Sequence, residues 1–490
     1  MNSLNLDEYL YDSYYFQYPV DIEVTSITFN SKEVKAKSIF VAIKGFKVDG
    51  NNYIDEAIKN GASLIVTETL PSMPYNDVGF LIVKDARKAL STLSRVLFEF
   101  PDKKLKLIGV TGTDGKTTTA YITYKLMKSL NYKVGLISTT NIDTDNILLA
   151  SPYRQSTPEA PYLFSLLEKC VLSGMEYVVI EATSHALSSF FSRLDGLEFD
   201  ATIITTITQE HLDFHKSEIQ YLKAKLNILA KLKDQGFLVT TKNNNKLNSC
   251  IQRAKELNKK AYIVEDVINY KIEENNELKP LSIIYKNTIY PTSFFLPIFI
   301  SNALLSTLCV HILTKTPIEN LLTNLKEINY IKGRFNIIEN KINRTIIVDF
   351  AHTSDAFEKL LSHLSCLNKR LVILFGSGGE RDVHKRCKMG KIAAKYSSTI
   401  VLSEEDPRDE DNIKIMNDIE KGIQKINKCA KVYKVDNRKE AIYKMFEISK
   451  VNDILLFLGK GHESSIERKG VKYPYDEAKT IKEVIKNIYG

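Results

Sequence analysis

The chain has 490 residues, 44% hydrophobic and 26% charged, a globular composition that excludes a wholly disordered chain. One core per roughly 100–200 residues predicts two to four domains. The net charge of +8, from 67 basic and 59 acidic residues, would suit a polyanion, but lysine is spread along the chain without a run of five or six, which argues against a nucleic-acid face.

Met1–Tyr18 is acidic and aromatic and lacks the basic-then-apolar layout of a signal peptide. Apolar runs such as the one around Ile203 fall short of the ~20 residues of a membrane span, so a cytoplasmic chain without membrane insertion is expected. Phe40–Ile43 and Ser63–Thr67 read as strands, with Tyr53–Lys59 as a helix between them. The charged stretch Pro101–Lys106 marks a boundary near 103. Lys106–Val110, Tyr177–Glu181, Ala201–Ile207 and Gly236–Thr240 are short β-branched runs separated by helix-length segments. After the helix-like Ile318–Ile328 a second boundary falls near 332. Thr345–Ala351, Arg370–Gly376, Ser398–Ser403 and Asp453–Gly459 form a second set. Apolar runs of this length between helices predict parallel strands buried on both faces, hence an α/β fold. The units expected are 1–103, 104–332 and 333–490. The six cysteines include no two within 20 residues of each other, which excludes a Cys-x-x-Cys site.

The strand ending at Val110 leads into Thr111-Gly112-Thr113-Asp114-Gly115-Lys116-Thr117-Thr118, followed by a helical pattern from Thr119 to Leu130. Strand, glycine loop and helix start make a phosphate cradle: Gly112 and Gly115 admit the backbone, and successive N–H groups meet the anion. Lys116 would reach the β- and γ-phosphates and Thr117 would bind Mg²⁺. Position 110 is Val where the longer Walker spacing needs Gly, which leaves the shorter Gly-x-x-Gly-Lys-Thr form. The loop indicates a nucleotide phosphate without naming a reaction.

Glu181 ends one strand and opens Glu181-Ala182-Thr183-Ser184-His185, and Thr208-Gln209-Glu210-His211-Leu212-Asp213-Phe214-His215 follows the next. A Glu and a His at neighbouring strand ends are placed to hold a divalent ion beside the loop. Further on come Val348-Asp349-Phe350-Ala351-His352-Thr353, then Gly376-Ser377-Gly378-Gly379-Glu380-Arg381-Asp382, and Gly459-Lys460-Gly461-His462-Glu463.

In this order the segments resemble the ATP-dependent Mur ligase family, and Gly459–Glu463 resembles its MurE type. Weaker matches at Phe29–Val34 and Ser38–Gly45 extend the resemblance over nearly the whole chain. It implies a three-domain architecture: a UDP-sugar-binding unit, a central P-loop ATPase sheet and a C-terminal Rossmann-like unit. It also implies ligation of a diamino acid to UDP-N-acetylmuramoyl-L-Ala-D-Glu, through an acyl phosphate, in peptidoglycan synthesis, with ATP and Mg²⁺ as cofactors and a monomeric enzyme.

The resemblance gives residues their expected roles. Lys116, Glu181, His211, Lys225 and His352 are the catalytic set. Thr117, Glu181, His211 and Lys225 hold metal, with Lys225 matching the family's carbamylated lysine; the ordinary alternative is an exposed lysine like Lys223. Gly112, Thr113, Asp114, Gly115, Lys116, Thr117, Thr118, Arg334 and Asp349 bind ATP. Ser31, Ser156, Thr157, Ser184 and Arg193 meet the UDP-linked dipeptide. Arg381, Asp406, Arg408, Gly459 and Glu463 meet the amino acid.

The family's Asp-Asn-Pro-Arg loop is Glu405-Asp406-Pro407-Arg408 here. Glu404–Asp411 holds six acids against one Arg. Such a field favours a bare distal ammonium, hence L-lysine or L-ornithine, whereas Arg408 would pair with the distal carboxylate of meso-diaminopimelate. Asn30-Ser31-Lys32 in place of Asp-Ser-Arg, and Thr205-Thr206 in place of Thr-Asn, are further departures. A folylpolyglutamate-synthase-like ligase is the alternative within the superfamily.

Overall fold

The computed structural model describes residues 13–17, 23–45, 48–70, 78–153, 155–208, 212–273, 277–328 and 331–490, with backbone alone at 14–17, 212 and 213. The chain is α/β with three main sheets. In the first, Tyr14–Gln17, Gly79–Ile82, Ala62–Thr67, Ser38–Val41 and Ser26–Thr28 lie side by side, parallel except for Tyr14–Gln17. The helix Ala86–Leu97 starts at Asp85, whose carboxylate caps the N–H groups of Arg87 and Lys88 at 3.0 Å. Its apolar face belongs to one continuous core that runs from Val24 through Leu93 to Leu107 and Leu167. The first unit is thus welded to the second by buried apolar surface, and the Ser91 hydroxyl donates to Asp195 O at 2.9 Å across the seam.

The central sheet orders Lys260–Ile263, Leu232–Thr240, Phe199–Ile204, Lys106–Thr111, Tyr177–Glu181, Val134–Ile137, Asn141–Asp143 and Leu149–Ala150. The first six strands are parallel and the last two antiparallel. Residues 107–111 and 177–181 are fully buried, as two-sided strands require. The run expected to continue to Ile207 ends at Ile204 because Thr205 and Thr206 leave the ladder to bind the neighbouring loop: Thr205 N donates to Thr111 O at 3.0 Å and Thr206 O accepts from Thr113 N at 2.6 Å.

Pro297–Thr314 is the one helix among the described residues long and apolar enough to cross a membrane, an exception to the expectation of short apolar runs. Its middle, Ile300–Val310, is buried. Ser306 donates to Thr119 O at 3.1 Å, which seats it against the helix Lys116–Ser129. It is the core helix behind the phosphate loop.

The third sheet orders Asn336–Ile337, Thr345–Asp349, Ile454–Leu458, Leu371–Phe375, Thr399–Leu402 and Lys431–Lys434, parallel after the first strand. Asp349 and Leu458 are register partners. The segments after Asp349, Leu458, Phe375 and Leu402 therefore leave from one edge, where ligands of open parallel sheets bind.

Candidate active site

In the central sheet Lys106–Thr111 lies between Tyr177–Glu181 and Phe199–Ile204, with Val110 opposite Glu181 and Thr111 opposite Ile204. Three strand ends therefore converge. Gly112 and Gly115 have φ of +148° and +85°. A Cβ on Gly112 would lie 1.8 Å from Thr205 Oγ1, and one on Gly115 2.7 Å from Asn302 Oδ1. Only glycine fits either position. Thr113, Thr117 and Thr118 are buried, and Lys116 Nζ folds over the loop to Gly112 O (3.2 Å) and Thr113 O (2.8 Å). The loop caps a long helix, which supplies the N–H groups and dipole for a phosphate.

Thr117 Oγ1 donates to the Glu181 carboxylate at 3.1 and 3.0 Å. Glu181 also receives the N–H and hydroxyl of Thr139 at 3.0 and 2.8 Å. Thr139 was not anticipated; no motif marks it. Hard oxygen donors at the phosphate end of the loop fit a divalent cation.

Lys225 is 1% exposed, on the helix Glu218–Leu226, while Lys223 is exposed. The Lys225 ammonium donates to Gly112 O at 2.5 Å and lies 4.7 Å from the Tyr221 ring centroid. Tyr221 in turn shares a 2.9 Å hydrogen bond with Thr113 Oγ1. Lys225 is thus built into the phosphate-loop cluster and is not an ordinary surface lysine. His211 and Glu210 lie outside the described residues. Among the described residues no three His, Cys, Asp or Glu side chains are grouped as a metal site, so Thr117, Glu181 and Lys225 are the described part of the expected set.

The C-terminal unit closes onto this loop. Arg334 Nη2 lies 3.5 Å from Thr117 Oγ1, and Thr353 Oγ1 donates to Asp114 Oδ2 at 3.0 Å. Arg334 stacks 4.6 Å over the Phe350 ring, and its Nη1 is 3.5 Å from His462 Nδ1. Burial lowers the Arg334 pKa, opposed by Asp349. Asp349 is buried, which raises its pKa. Its two oxygens accept the N–H groups of Phe335 and Ala351, each at 2.7 Å, so it pins the turn that carries Arg334. His352 Nδ1 is 2.9 Å from Phe350 O. Burial and the adjacent Arg334 hold His462 well below its ordinary pKa.

On the opposite side of Glu181, Thr157 Oγ1 donates to Glu181 O at 2.7 Å and accepts Thr183 N at 3.0 Å. Thr183 caps the short helix that begins at Ser184, which is buried. Arg193 pairs with Glu159 at 2.6 Å and reaches Thr157 O at 3.5 Å. Thr157, Ser184 and Arg193 are thereby gathered beside Glu181, and Ser156 precedes Thr157 in the chain. Ser31 is buried in the first unit and its hydroxyl donates to Glu56 at 2.7 Å.

The acidic loop corrects the expectation of a free negative field. Distant cations pair with three of its six acids, Glu404, Asp406 and Glu410. Glu404 takes Arg468 at 2.6 Å through both oxygens and the backbone N–H of Arg438 at 3.0 Å. Glu410 takes the fully buried Arg386 at 2.6 and 2.7 Å. Asp411 caps the helix Asn412–Ile426. Asp406 Oδ1 accepts Lys460 Nζ at 3.0 Å and Glu467 N at 2.9 Å. Among the described residues Glu405 Oε2 finds no hydrogen-bond partner and stays buried against Gly459, whose added Cβ would lie 2.6 Å away. Arg408 donates to Gly379 O, and its Nε is 3.8 Å from Glu467. Arg381 is exposed, beside Gly378 with Arg408.

Two supports of this pocket were missed. Arg438 and Glu477 form a fully buried pair at 2.9 Å, and Arg438 also donates to Glu404 O and Leu458 O. Lys460 is fully buried between Asp406 and Glu463. Its position inside the Gly-Lys-Gly turn was the available signal. Burial raises the Glu463 pKa, opposed by Lys460.

Residues 23–96 match the family described as "Mur ligase family, catalytic domain", 110–325 the "Mur ligase middle domain" and 333–461 the "Mur ligase, glutamate ligase domain". The chain is 34% identical over 483 residues to a UDP-N-acetylmuramyl-tripeptide synthetase of Borreliella afzelii, covering 96% of this chain and 95% of that protein. It is 34% identical over 471 residues to a UDP-N-acetylmuramoyl-L-alanyl-D-glutamate–2,6-diaminopimelate ligase of Cytophaga hutchinsonii, covering 95% of each. It shares its fold with a MurF ligase of Thermotoga maritima in complex with ADP, with a TM-score of 0.65 at 19% identity, covering 96% of this chain and 99% of that one.

Proposed function

Since the chain belongs to the Mur ligase family, MurE type, and is an ATP-dependent acid–amino-acid ligase of peptidoglycan-precursor synthesis, we propose that it joins a diamino acid to the D-Glu γ-carboxylate of UDP-N-acetylmuramoyl-L-Ala-D-Glu through an acyl phosphate. The observation that carries this reading is the seam between the second and third units. Arg334 and Thr353 reach Thr117 and Asp114 from the same sheet edge that carries Glu405, Arg408 and Glu463. A phosphoryl donor in the loop and an amine held by the C-terminal unit would then meet at one place, which is what a ligation needs.

Phosphoryl transfer depends on positioning and charge neutralisation. Lys116 and the loop N–H groups would hold the phosphates, and Arg334 would add positive charge on closure. Mg²⁺, held by Thr117, Glu181, His211 and a carbamylated Lys225, would neutralise phosphate charge. A bare ammonium on Lys225 would repel the metal, and a carbamate converts it to an oxygen ligand. Thr157, Ser184 and Arg193 would orient the dipeptide carboxylate, with Ser156 beside them and Ser31 toward the uridine. Arg381 and Glu463 would hold the α-carboxylate and α-amine of the incoming amino acid. We take the working units as 1–103, 104–332 and 333–490, in a cytoplasmic monomer.

L-lysine or L-ornithine is the favoured amino acid. Glu405 supports it, as a buried carboxylate oxygen without a partner, suited to a distal ammonium. The second reading is meso-diaminopimelate, favoured by the presence of Arg408, although Gly379 O and Glu467 already engage that guanidinium. A folylpolyglutamate-type activity is separated by one omission. Phosphate release should require the UDP-linked dipeptide and should not be supported by a folate in its place.

A further inference from the structure

Lys460 is fully buried, and its ammonium lies 3.0 Å from Asp406 Oδ1 and 2.7 Å from Glu463 Oε2. One cation is therefore shared by two carboxylates. Asp406 is held by two further contacts. Oδ1 also accepts Glu467 N at 2.9 Å, and its carbonyl accepts Gly379 N at 2.9 Å. It thus ties the Glu405–Arg408 loop to the Gly459–Glu463 turn, to the hairpin strand Ser465–Arg468 and to the segment after Leu371–Phe375. Glu463 is the freer of the two, with a side chain 33% exposed against 16% for Asp406.

We propose that Asp406 is a positioning residue that neutralises buried Lys460 so that Glu463 is free to take the α-ammonium of the incoming amino acid, and that Asp406 does not itself read the amino-acid side chain. The physical reason is charge balance. With an amide at 406, Glu463 would be the one anionic neighbour of Lys460 within hydrogen-bond reach among the described residues. Turning Glu463 toward a substrate would then strand a buried charge, which is costly. With Asp406 in place the lysine keeps a partner throughout. Burial pulls the Lys460 pKa down, but Glu463 and Asp406 outweigh it and hold the ammonium charged. The neighbouring cations Arg438 and Arg468 are occupied by Glu477 and Glu404. The proposal rests on the ligase reading above and deepens it.

The test uses the full chain with ATP, Mg²⁺, UDP-N-acetylmuramoyl-L-Ala-D-Glu and, separately, lysine, ornithine and diaminopimelate. Asp406→Asn should raise KM for the amino acid about tenfold, equivalent to about 1.4 kcal/mol, with kcat within about threefold and the ranking of the three amino acids unchanged. In a Lys460→Met background the same substitution should change KM by less than about twofold, since the coupling has been removed. A changed ranking, or an equal KM effect in both backgrounds, overturns the proposal. If Asp406→Asn does not fold alone, it should fold in the Lys460→Met background; failure there also overturns it. Activity of the wild type with none of the three amino acids would instead refute the ligase reading.

Discussion

Arg334 and Thr117 stand 217 positions apart in the chain and 3.5 Å apart in the fold, guanidinium to hydroxyl. Thr117 is also hydrogen-bonded to Glu181, so this contact brings a cation of the third unit to the loop and carboxylate corner of the second. Asp349 fixes the turn behind Arg334 through two backbone N–H groups.

Arg334→Ala should lower the rate of phosphate release about a hundredfold, as loss of one preorganised charge at a transferring phosphoryl group does. Arg334→Lys should recover little of it, because the ammonium lacks the planar fork that spans Thr117 and His462. A steady-state phosphate assay checks both. Near-wild-type rates for the alanine variant would remove Arg334 from the closure.

Lys225→Ala should abolish most activity, by about a hundredfold or more on the scale of a lost metal ligand's support. Intact-mass measurement of the wild type in bicarbonate should show the carbamate adduct, lost in the variant. Activity that survives the substitution would leave Lys225 as a packing residue on Gly112.

Glu405→Gln should weaken lysine and ornithine relative to diaminopimelate by about tenfold in kcat/KM, the loss of one charge-assisted contact. Competition between amino acids in one reaction measures this ratio directly. An unchanged ratio would mean that the unpartnered oxygen does not face the substrate.

His462 gives a pH signature. Its native pKa lies well below the unfolded value of about 6.5. Such a group favours the native state above pH about 6.5, and the contribution is lost as pH falls through that value toward the lower native one. The Tm of the wild type should therefore fall more between pH 7.5 and 5.5 than that of His462→Phe. Equal slopes would contradict a buried neutral imidazole beside Arg334.

The phosphate loop was legible because everything it needs lies within eight consecutive residues, from Thr111 to Thr118. The ends of the strands were legible to within a few positions, since burial on both faces imposes β-branched runs. The state of the acidic loop was not. Glu404, Asp406 and Glu410 find Arg468, Lys460 and Arg386 at separations of 64, 54 and 24 positions. A local count of charges cannot foresee partners brought in by sheet order. Glu405 and Asp406 are adjacent and chemically alike, yet one is left unpartnered and the other is held by a buried lysine. Lys225 shows the reverse case. Burial separated it from Lys223, as the helical period places positions two apart on different faces.

The most direct test is a three-way assay of the wild type with ATP, Mg²⁺ and UDP-N-acetylmuramoyl-L-Ala-D-Glu, read by phosphate release and by the mass of the UDP-linked product. Release coupled to tripeptide formation, with lysine or ornithine preferred over diaminopimelate, is the expected result. Absence of release with all three amino acids would contradict the account.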